Sequence, residues 1–243
     1  MSDFSHILFI DIETVPGKSS LKELPSDLRE LWNEKVRSMQ ARMPERFNTT
    51  DSEVDVYRKE AGIFAEFGKI VCISVGFFYK KDNQEVFREK SFYDDDEKQL
   101  LSDFADMLSR LGNKVLCGHN IKEFDVPYIC RRMLINKMEL PLCLNVSGKK
   151  PWEINMLDTL DLWRFGDYKN YTSLKLLTAV FGIPTPKDDI DGSQVANVYY
   201  EQHDLQRIAF YCEKDVLATA RLYACYKGKT PVADELVEHV KNS

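Results

Sequence analysis

The most restrictive feature of this chain is a short apolar run near its start that contains two acids. Residues 6–14, HILFIDIET, are rich in apolar and β-branched side chains, and a run of this length suits a buried central strand better than a helix. Asp11 and Glu13 are two positions apart, so on a strand their side chains leave the same face. Ile10 and Ile12 then leave the opposite face.

Two like charges on a half-buried face are costly to a fold. Their burial costs several kcal/mol, or one of them holds a proton, unless a cation neutralises them. A hard divalent ion such as Mg²⁺ is a natural partner for carboxylates. Taken alone, the pair could equally be solvated acids at the end of a strand, because surface acids are common. The flanking apolar residues favour a metal site.

Length and composition limit the class of protein. The chain has 243 residues, 44% of them hydrophobic, and we expect a single domain over 1–243. Its six cysteines form no CxxC pair and most lie in apolar stretches, which predicts reduced thiols and a cytoplasmic protein. The N-terminal residues have no basic region or cleavable small-residue site, and no segment approaches the roughly 18 apolar residues of a membrane span. We therefore expect neither export nor a membrane location.

The charge balance bears on the kind of partner. The net charge is -6 and the sequence pI is near 5.4, so the chain lacks the global positive field that draws proteins onto long nucleic acids. A nucleic-acid substrate would have to be held by local contacts.

The periodicity predicts a mixed order of strands and helices. Residues 69–79 and 85–93 are apolar and aromatic strands, joined as an antiparallel hairpin through residues 81–83. Residues 97–112 have the period of an amphipathic helix that ends at a glycine, and residues 115–120 form another short buried strand. Such an order indicates an α/β or α+β sheet flanked by helices.

Helices dominate the remaining segments. Residues 17–68 predict a helical insertion after the first strand, with Ser26 as the N-cap of its first helix. Pro127 fits the first turn of a helix, which places Asp125 at a helix N-terminus. The later segments with helical spacing are residues 156–165, 173–183 and 193–226.

Two further groups of residues carry chemistry. Tyr211 and Asp215 are four apart in a stretch of helical period, so a phenol and a carboxylate share one helical face. Such a pair also arises by chance in many helices, as a core-edge tyrosine and a solvated aspartate. Asn120, Phe124 and Asp125 lie between a strand and a helix, where an aromatic ring can stack on a base.

Together these residues resemble the DEDD exonuclease superfamily, tyrosine subclass, which includes the proofreading domains of family B polymerases and of bacterial polymerase I. The resemblance covers residues 6–226 and extends to the stand-alone bacterial exonucleases that are similar to the family B proofreading domain. The motifs in order are Asp-x-Glu at Asp11 and Glu13, asparagine followed by an aromatic-Asp pair at Asn120, Phe124 and Asp125, and Tyr-x-x-x-Asp at Tyr211 and Asp215.

The resemblance implies both a fold and an activity. The fold is the α/β, RNase H-like (ribonuclease H-like) fold, a mixed central sheet flanked by helices, here with a helical insertion at residues 17–68. The activity is that of a 3′-5′ exonuclease that releases nucleoside 5′-monophosphates from the 3′ end of single-stranded nucleic acid, with DNA as the expected substrate. The implied cofactors are two divalent ions, Mg²⁺ or Mn²⁺.

The resemblance also implies roles for single residues. Asp11, Glu13 and Asp215 hold one ion, and Asp11 with Asp125 holds or orients the second. Tyr211 positions the attacking water.

Substrate contacts carry over in the same way. Thr14 grips the terminal nucleotide, and Asn120 and Phe124 contact the 3′-terminal region. Protein partners are not indicated.

The sequence is also compatible with three other functions. The chain could act on RNA, because no motif reads a 2′-hydroxyl. It could be a nucleic-acid-binding module that has lost catalysis, although all four acids and the tyrosine are present. It could be a structure-specific endonuclease with the same core, but the acid pattern of that class lacks the Tyr-x-x-x-Asp helix.

Several polar residues fit structural roles. His119 at a strand end suits a hydrogen-bonded structural histidine better than a ligand, and Asp158 and Asp161 suit a helix cap and an exposed helix face. The insertion is either a cap over the substrate end or a surface excursion without a role. Its arginines could meet phosphates or local acids: Arg37, Arg42 and Arg46.

Overall fold

The computed structural model describes residues 4–47, 51–112, 114–184 and 190–240. Within them lies one six-stranded mixed sheet. Its strands are β1 (Ile7–Pro16), β2 (Gly68–Lys81), β3 (Gln84–Tyr93), β4 (Val115–Gly118), β5 (Met156–Asp158) and β6 (Val237–His239). The strand order across the sheet is β5-β4-β1-β2-β3-β6.

The acid-bearing strand β1 lies in the interior of the sheet, as predicted. It pairs antiparallel with β2 and parallel with β4. Asp11 lies opposite Ser74 and Glu13 opposite Cys72. The register shifts between Glu13 and Thr14, a β-bulge of the kind that redirects side chains beside functional sites.

The predicted hairpin of β2 and β3 is also confirmed. Its turn residues Asp82 and Asn83 both have positive φ, 50° and 63°, which is the backbone of a two-residue type I′ turn. Asn and Asp tolerate this conformation better than other non-glycine residues.

Helices cover both faces of the sheet. They are α1 (Ser26–Arg42), α2 (Glu53–Glu60), α3 (Glu97–Arg110), α4 (Asp125–Ile135), α5 (Thr159–Arg164), α6 (Leu174–Val180), α7 (Val195–Asn197) and α8 (Leu205–Tyr226). A π-helical turn, Val198–Gln202, follows α7 directly. None of the helices in the described ranges has both the length and the apolar character needed to cross a membrane.

The two faces of β1 belong to different layers. Ile10 and Ile12 pack into the larger cluster, which contains Phe104 of α3 and Ile129 of α4. Phe9 points the other way, into a cluster that includes residues of α8. Because Asp11 and Glu13 alternate with the isoleucines, they face α8.

The insertion between β1 and β2 is helical, as predicted, and has its own small core. Trp32 of α1 is fully buried and packs edge-on against Tyr57 of α2 and Phe67. The hydroxyl of Tyr128 on α4 donates to the carbonyl oxygen of Gly62 at 2.7 Å. The insertion is thus fastened to the helix that begins with Asp125.

Two expectations about elements are wrong in detail, and one strand was not predicted. Ser26 is the first residue of α1 and not its N-cap, a position held by Pro25. Residues 156–158 form β5 instead of the start of a helix, because pairing with β4 overrides local spacing. The three-residue strand β6 was not predicted, since so short a segment carries no periodicity.

Candidate active site

An open cleft with a volume of about 600 Å³ runs along one end of β1. All four acids that the sequence singled out line it: Asp11, Glu13, Asp125 and Asp215. They come from three separate elements, the strand β1 and the helices α4 and α8.

Asp125 is placed by the N-terminus of α4. It is the first residue of that helix and is 3% exposed. Its carboxylate accepts hydrogen bonds from its own backbone N–H and from that of Ile12, which lower its pKa. Burial outweighs them and, with repulsion from Asp158, raises the pKa of Asp125 to about 7.

Asp215 reaches the cleft because α8 lies against the acid-bearing face of β1. Cys212, three residues earlier on α8, contacts β1 directly: its thiol Sγ lies 3.4 Å from Oδ2 of Asp11. Cys212 is buried. Its sulfur and one carboxylate oxygen from each of Asp11 and Glu13 lie within 4.8 Å of one another. The strand and the helix are therefore joined by polar contacts at this point.

The acids repel one another strongly. Burial raises the pKa of Asp11 well above its usual value, and the charges of Asp125, Asp215 and Glu13 raise it further. Burial likewise raises the pKa of Glu13, with Asp215 as the largest charge contribution. Such a group holds protons unless a cation is bound.

The donor set fits hard divalent ions. Carboxylate oxygens are the ligands that Mg²⁺ and Mn²⁺ prefer. The thiol of Cys212 is not such a ligand, because burial raises its pKa well above the usual value and keeps it protonated. Its S–H instead donates to Asp11 and lowers the pKa of that carboxyl.

Asn120 and Phe124 also line the cleft. Asn120 lies two residues after β4 and has a left-handed backbone, φ 66°. Its carbonyl oxygen accepts a hydrogen bond from the N–H of Phe124 at 3.0 Å. The N–H of Asn120 donates to Oδ1 of Asp158 at 2.9 Å. This turn fixes the direction in which the chain enters α4 and so the position of Asp125.

Tyr211 and Thr14 are not among the residues that line the cleft. Tyr211 is half-buried one turn before Asp215, and its ring packs against the cluster that contains Val15 and Ile208. The side chain of Thr14, just after the bulge, hydrogen bonds to Tyr128.

His119, Asp158 and Asp161 have the contacts expected of structural residues. The ring nitrogens of His119 lie 2.9 Å from the Thr159 hydroxyl and 3.0 Å from the carbonyl oxygen of Thr172, although the residue also lines the cleft. Asp158 caps α5, and Asp161 pairs with lysine and arginine side chains.

Sequence reasoning missed several residues of the site. Cys212 reads as a small core residue, and only its place between Tyr211 and Asp215 could have indicated otherwise. Ile63 and Arg46 come from the insertion, and no pattern in the sequence brings them to the cleft. The same holds for three residues from the later part of the chain: Tyr171, Leu174 and Gly192.

Most of the chain matches a known protein family. Residues 63–236, more than half of the chain, match the family described as "Predicted 3'-5' exonuclease related to the exonuclease domain of PolB". The match includes Asp125 and Asp215 but begins after β1, so the acids of the first strand lie outside it. No curated protein matches the chain.

A solved structure supports the fold. The family B DNA polymerase from the hyperthermophilic archaeon Pyrobaculum calidifontis is similar with a TM-score of 0.50 and 16% sequence identity. The similarity covers 90% of this chain and 24% of the polymerase chain, so the protein spans about a quarter of that enzyme's length. The mixed sheet flanked by helices is accordingly an RNase H-like fold. The chain belongs to the family of predicted 3′-5′ exonucleases related to the exonuclease domain of PolB, and it is a phosphodiester hydrolase.

Proposed function

We propose that this exonuclease shortens single-stranded nucleic acid from the 3′ end by a two-metal-ion reaction, with DNA as the preferred substrate and nucleoside 5′-monophosphates as products. The observation that carries the proposal is the convergence of four acids from β1, α4 and α8 in one open cleft. Their mutual repulsion is relieved only by protons or by bound cations.

The carboxylates divide into two ligand sets. Asp11, Glu13 and Asp215 would hold one ion, and Asp11 with Asp125 would hold or orient the second. The bound ions would supply Lewis acidity, which lowers the pKa of a water and stabilises the leaving 3′ oxygen. Mg²⁺ or Mn²⁺ suits such ligands.

The remaining residues position water and substrate. Tyr211, one turn before Asp215 on α8, would orient the attacking water through its hydroxyl. Asn120 and Phe124 would hold the terminal nucleotide, since both line the cleft beside Asp125. Thr14 would contribute its backbone, as its side chain hydrogen bonds to Tyr128.

The wall of the cleft favours a flexible strand with exposed bases. Phe124 is packed on the core with one side toward the cleft, and Tyr171 lines the cleft while 64% exposed. Aromatic rings stack on bases of any sequence, so sequence preference should be weak. A base-paired duplex does not expose the faces of its bases in this way.

The insertion would act as a cap over the substrate end. Arg46 and Ile63 both line the cleft, although they lie in the segment between β1 and β2. The guanidinium of Arg46 lies 3.2 Å from Glu60 and remains 58% exposed. It can therefore meet a substrate phosphate while keeping its local partner.

The test uses matched oligonucleotides. Purified protein is incubated with 5′-labelled single-stranded DNA or its RNA counterpart, in Mg²⁺, Mn²⁺ or chelator, beside the Asp11→Ala variant. We expect a DNA ladder that shortens from the 3′ end and that both chelator and the substitution abolish. Faster shortening of RNA would reverse the substrate preference. Binding without cleavage in every metal would identify a silent nucleic-acid-binding module instead.

A further inference from the structure

A second cluster of metal-ligating side chains lies away from the cleft, where β3, β6 and α8 meet. It consists of Glu89 on β3, Glu213 on α8 and His239 on β6. Nδ1 of His239 lies 2.8 Å from a carboxylate oxygen of Glu89 and 3.3 Å from one of Glu213. One ligand atom from each residue lies within 4.8 Å of the other two.

Glu89 is the unusual member of this cluster. Its residue is only 2% exposed, yet its Oε2 is buried without a hydrogen-bond partner among the described residues. An unsatisfied buried carboxylate oxygen is costly. Burial raises the pKa of Glu89 to about 8, and repulsion from Glu213 contributes to the rise. The positive charge of Arg221 acts in the opposite direction.

The hydrogen-bond donors of the described residues do not fully satisfy the two carboxylates of this cluster. Nδ1 of His239 carries at most one proton, and that proton cannot donate fully to both carboxylates. One oxygen of Glu213 is already occupied, because Ser91 Oγ donates to Oε1 at 2.7 Å. Its other oxygen faces His239. The serine thus orients a ligand, as outer hydrogen bonds do in metal sites.

The spacing suits a small tetrahedral ion. Zinc bonds of about 2.0–2.2 Å to nitrogen and oxygen place neighbouring ligand atoms of a tetrahedron about 3.3–3.6 Å apart. The observed 2.8 and 3.3 Å need only small side-chain shifts to reach these values. A depression of about 390 Å³, lined by Glu213 and His239, gives water access to a fourth position.

We propose that Glu89, Glu213 and His239 form a second metal site, which takes one Zn²⁺ and joins β6 to the body of the protein. The site is separate from the exonuclease cleft, because β2 lies between the strands that carry Asp11 and Glu89. Two strand spacings are about 10 Å. Its ligand chemistry also differs, since imidazole favours zinc over magnesium.

The bound ion would stabilise the packing of β6 at the edge of the sheet. Its ligands come from three elements, and β6 adds only three residues to the sheet edge. Zinc binding therefore holds β6 against α8. An ion that binds only the folded state raises the melting temperature, and a concentration of 100 times Kd corresponds to about 5–10 °C for a chain of this size.

The test uses a protein whose exonuclease cleft has lost two of its proposed metal ligands. In the full chain carrying Asp11→Ala and Asp215→Ala, calorimetric titration with Zn²⁺ alone should show one ion per chain. Adding His239→Gln or Glu213→Gln should weaken binding at least about 100-fold and abolish the zinc-dependent rise in melting temperature. His6→Gln, a histidine outside the cluster, should change neither. Millimolar Mg²⁺ should not displace the zinc.

Two results would overturn the site. One is no zinc binding by the parent double variant, which would leave a salt-bridged imidazolium as the whole explanation of the cluster. The other is zinc binding of undiminished affinity after His239→Gln. Because His239 is half exposed, we expect this substitution to leave the fold intact, so that a loss of binding reports on the ligand.

Discussion

Cys212 touches the carboxylate of Asp11 from the helix that also carries Asp215. A thiol is a weak donor, but Cys212 is fully buried where α8 packs on β1, so its contact with Asp11 is shielded from water. It lowers the pKa of Asp11 against the opposing effects of burial and of three neighbouring acids. Cys212 is therefore a positioning residue for a proposed metal ligand.

The first prediction follows from this contact. Cys212→Ala removes the donor to Asp11, so we expect the Mg²⁺ concentration for half-maximal nuclease activity to rise about tenfold. Cys212→Ser, which keeps a donor, should stay within about threefold of the parent. Activity measured across a Mg²⁺ titration distinguishes the two. Equal curves for the alanine and serine variants would show that only packing matters.

The second prediction concerns repulsion between the acids. Asp215→Asn removes one like charge from the metal-free cluster, so in chelator the melting temperature should rise by a few degrees. The same variant should lose at least 10² to 10³-fold in kcat/KM with Mg²⁺. Asp103→Asn, on an exposed face of α3, is the matched control and should change neither. A lower melting temperature in chelator would contradict the repulsion argument.

At the scale of single residues, the sequence predicts a functional side chain where a charged residue lies in an apolar segment. Asp11 and Glu13 were identified because acids in an apolar strand need an explanation. Cys212 could not be identified in this way, since a cysteine in a helix core conflicts with nothing. Tyr171 lies in a loop without periodicity, and only the folded chain brings it to the cleft.

At the scale of elements, the insertion between β1 and β2 decides the shape of the cleft. Its helices α1 and α2 pack around Trp32 into a cluster of their own. Arg46 follows α1 and reaches the cleft from there. The insertion therefore presents a cation to a site that is otherwise strongly acidic.

The third prediction tests this cation. Arg46→Ala should raise KM for single-stranded DNA several-fold with little change in kcat, because a phosphate contact contributes to binding and not to the reacting centre. The salt dependence of binding should weaken by about one unit of slope. Arg42→Ala, at the end of α1 and outside the cleft lining, is the control. An unchanged KM would remove the cap from the proposed function.

The fourth prediction concerns the fastening of the insertion to α4. Tyr128→Phe leaves the carbonyl oxygen of Gly62 without its donor, so we expect a loss of about 1–3 kcal/mol in the free energy of unfolding. Urea unfolding measures this loss. Limited proteolysis should then cleave residues 17–67 sooner than in the parent. Proteolysis at an unchanged rate would show that the insertion is held by its own core.

Elements were predictable to the extent that their residues repeat a pattern. The hairpin of β2 and β3 and the amphipathic helix α3 have clear periods, and both were predicted. The edge strands β5 and β6 have three residues each and form only because β4 and β3 offer unpaired backbone groups. Such short strands form only once the rest of the sheet is assembled, so the local sequence alone does not predict them.

At the scale of the whole molecule, pH links the cleft to stability. Burial lowers the pKa of His119, so the folded protein prefers the neutral ring. The unfolded chain binds that proton more readily, and stability is therefore lost as pH falls through about 6.5. The buried carboxyls act in the opposite direction, because their pKa values are raised.

The fifth prediction isolates the histidine. The free energy of unfolding is measured by urea in chelator between pH 5 and pH 8. As the pH falls below about 6.5, the value for His119→Gln should rise relative to that of the parent. His203→Gln, at an exposed histidine, should follow the parent curve. Parallel curves for the parent and His119→Gln would show that the ring does not control this titration.

The place of β1 in the sheet also has a consequence for biosynthesis. Its partners β2 and β4 begin at Gly68 and Val115, so a ribosome completes β1 long before either partner exists. At about 5–20 residues per second, the insertion alone delays the first pairing by about 3–10 s. During that interval the apolar strand has no sheet to enter, and a nascent-chain chaperone would find it exposed. The insertion that shapes the cleft in the folded enzyme thus also sets the interval between the synthesis of β1 and its first strand pairing.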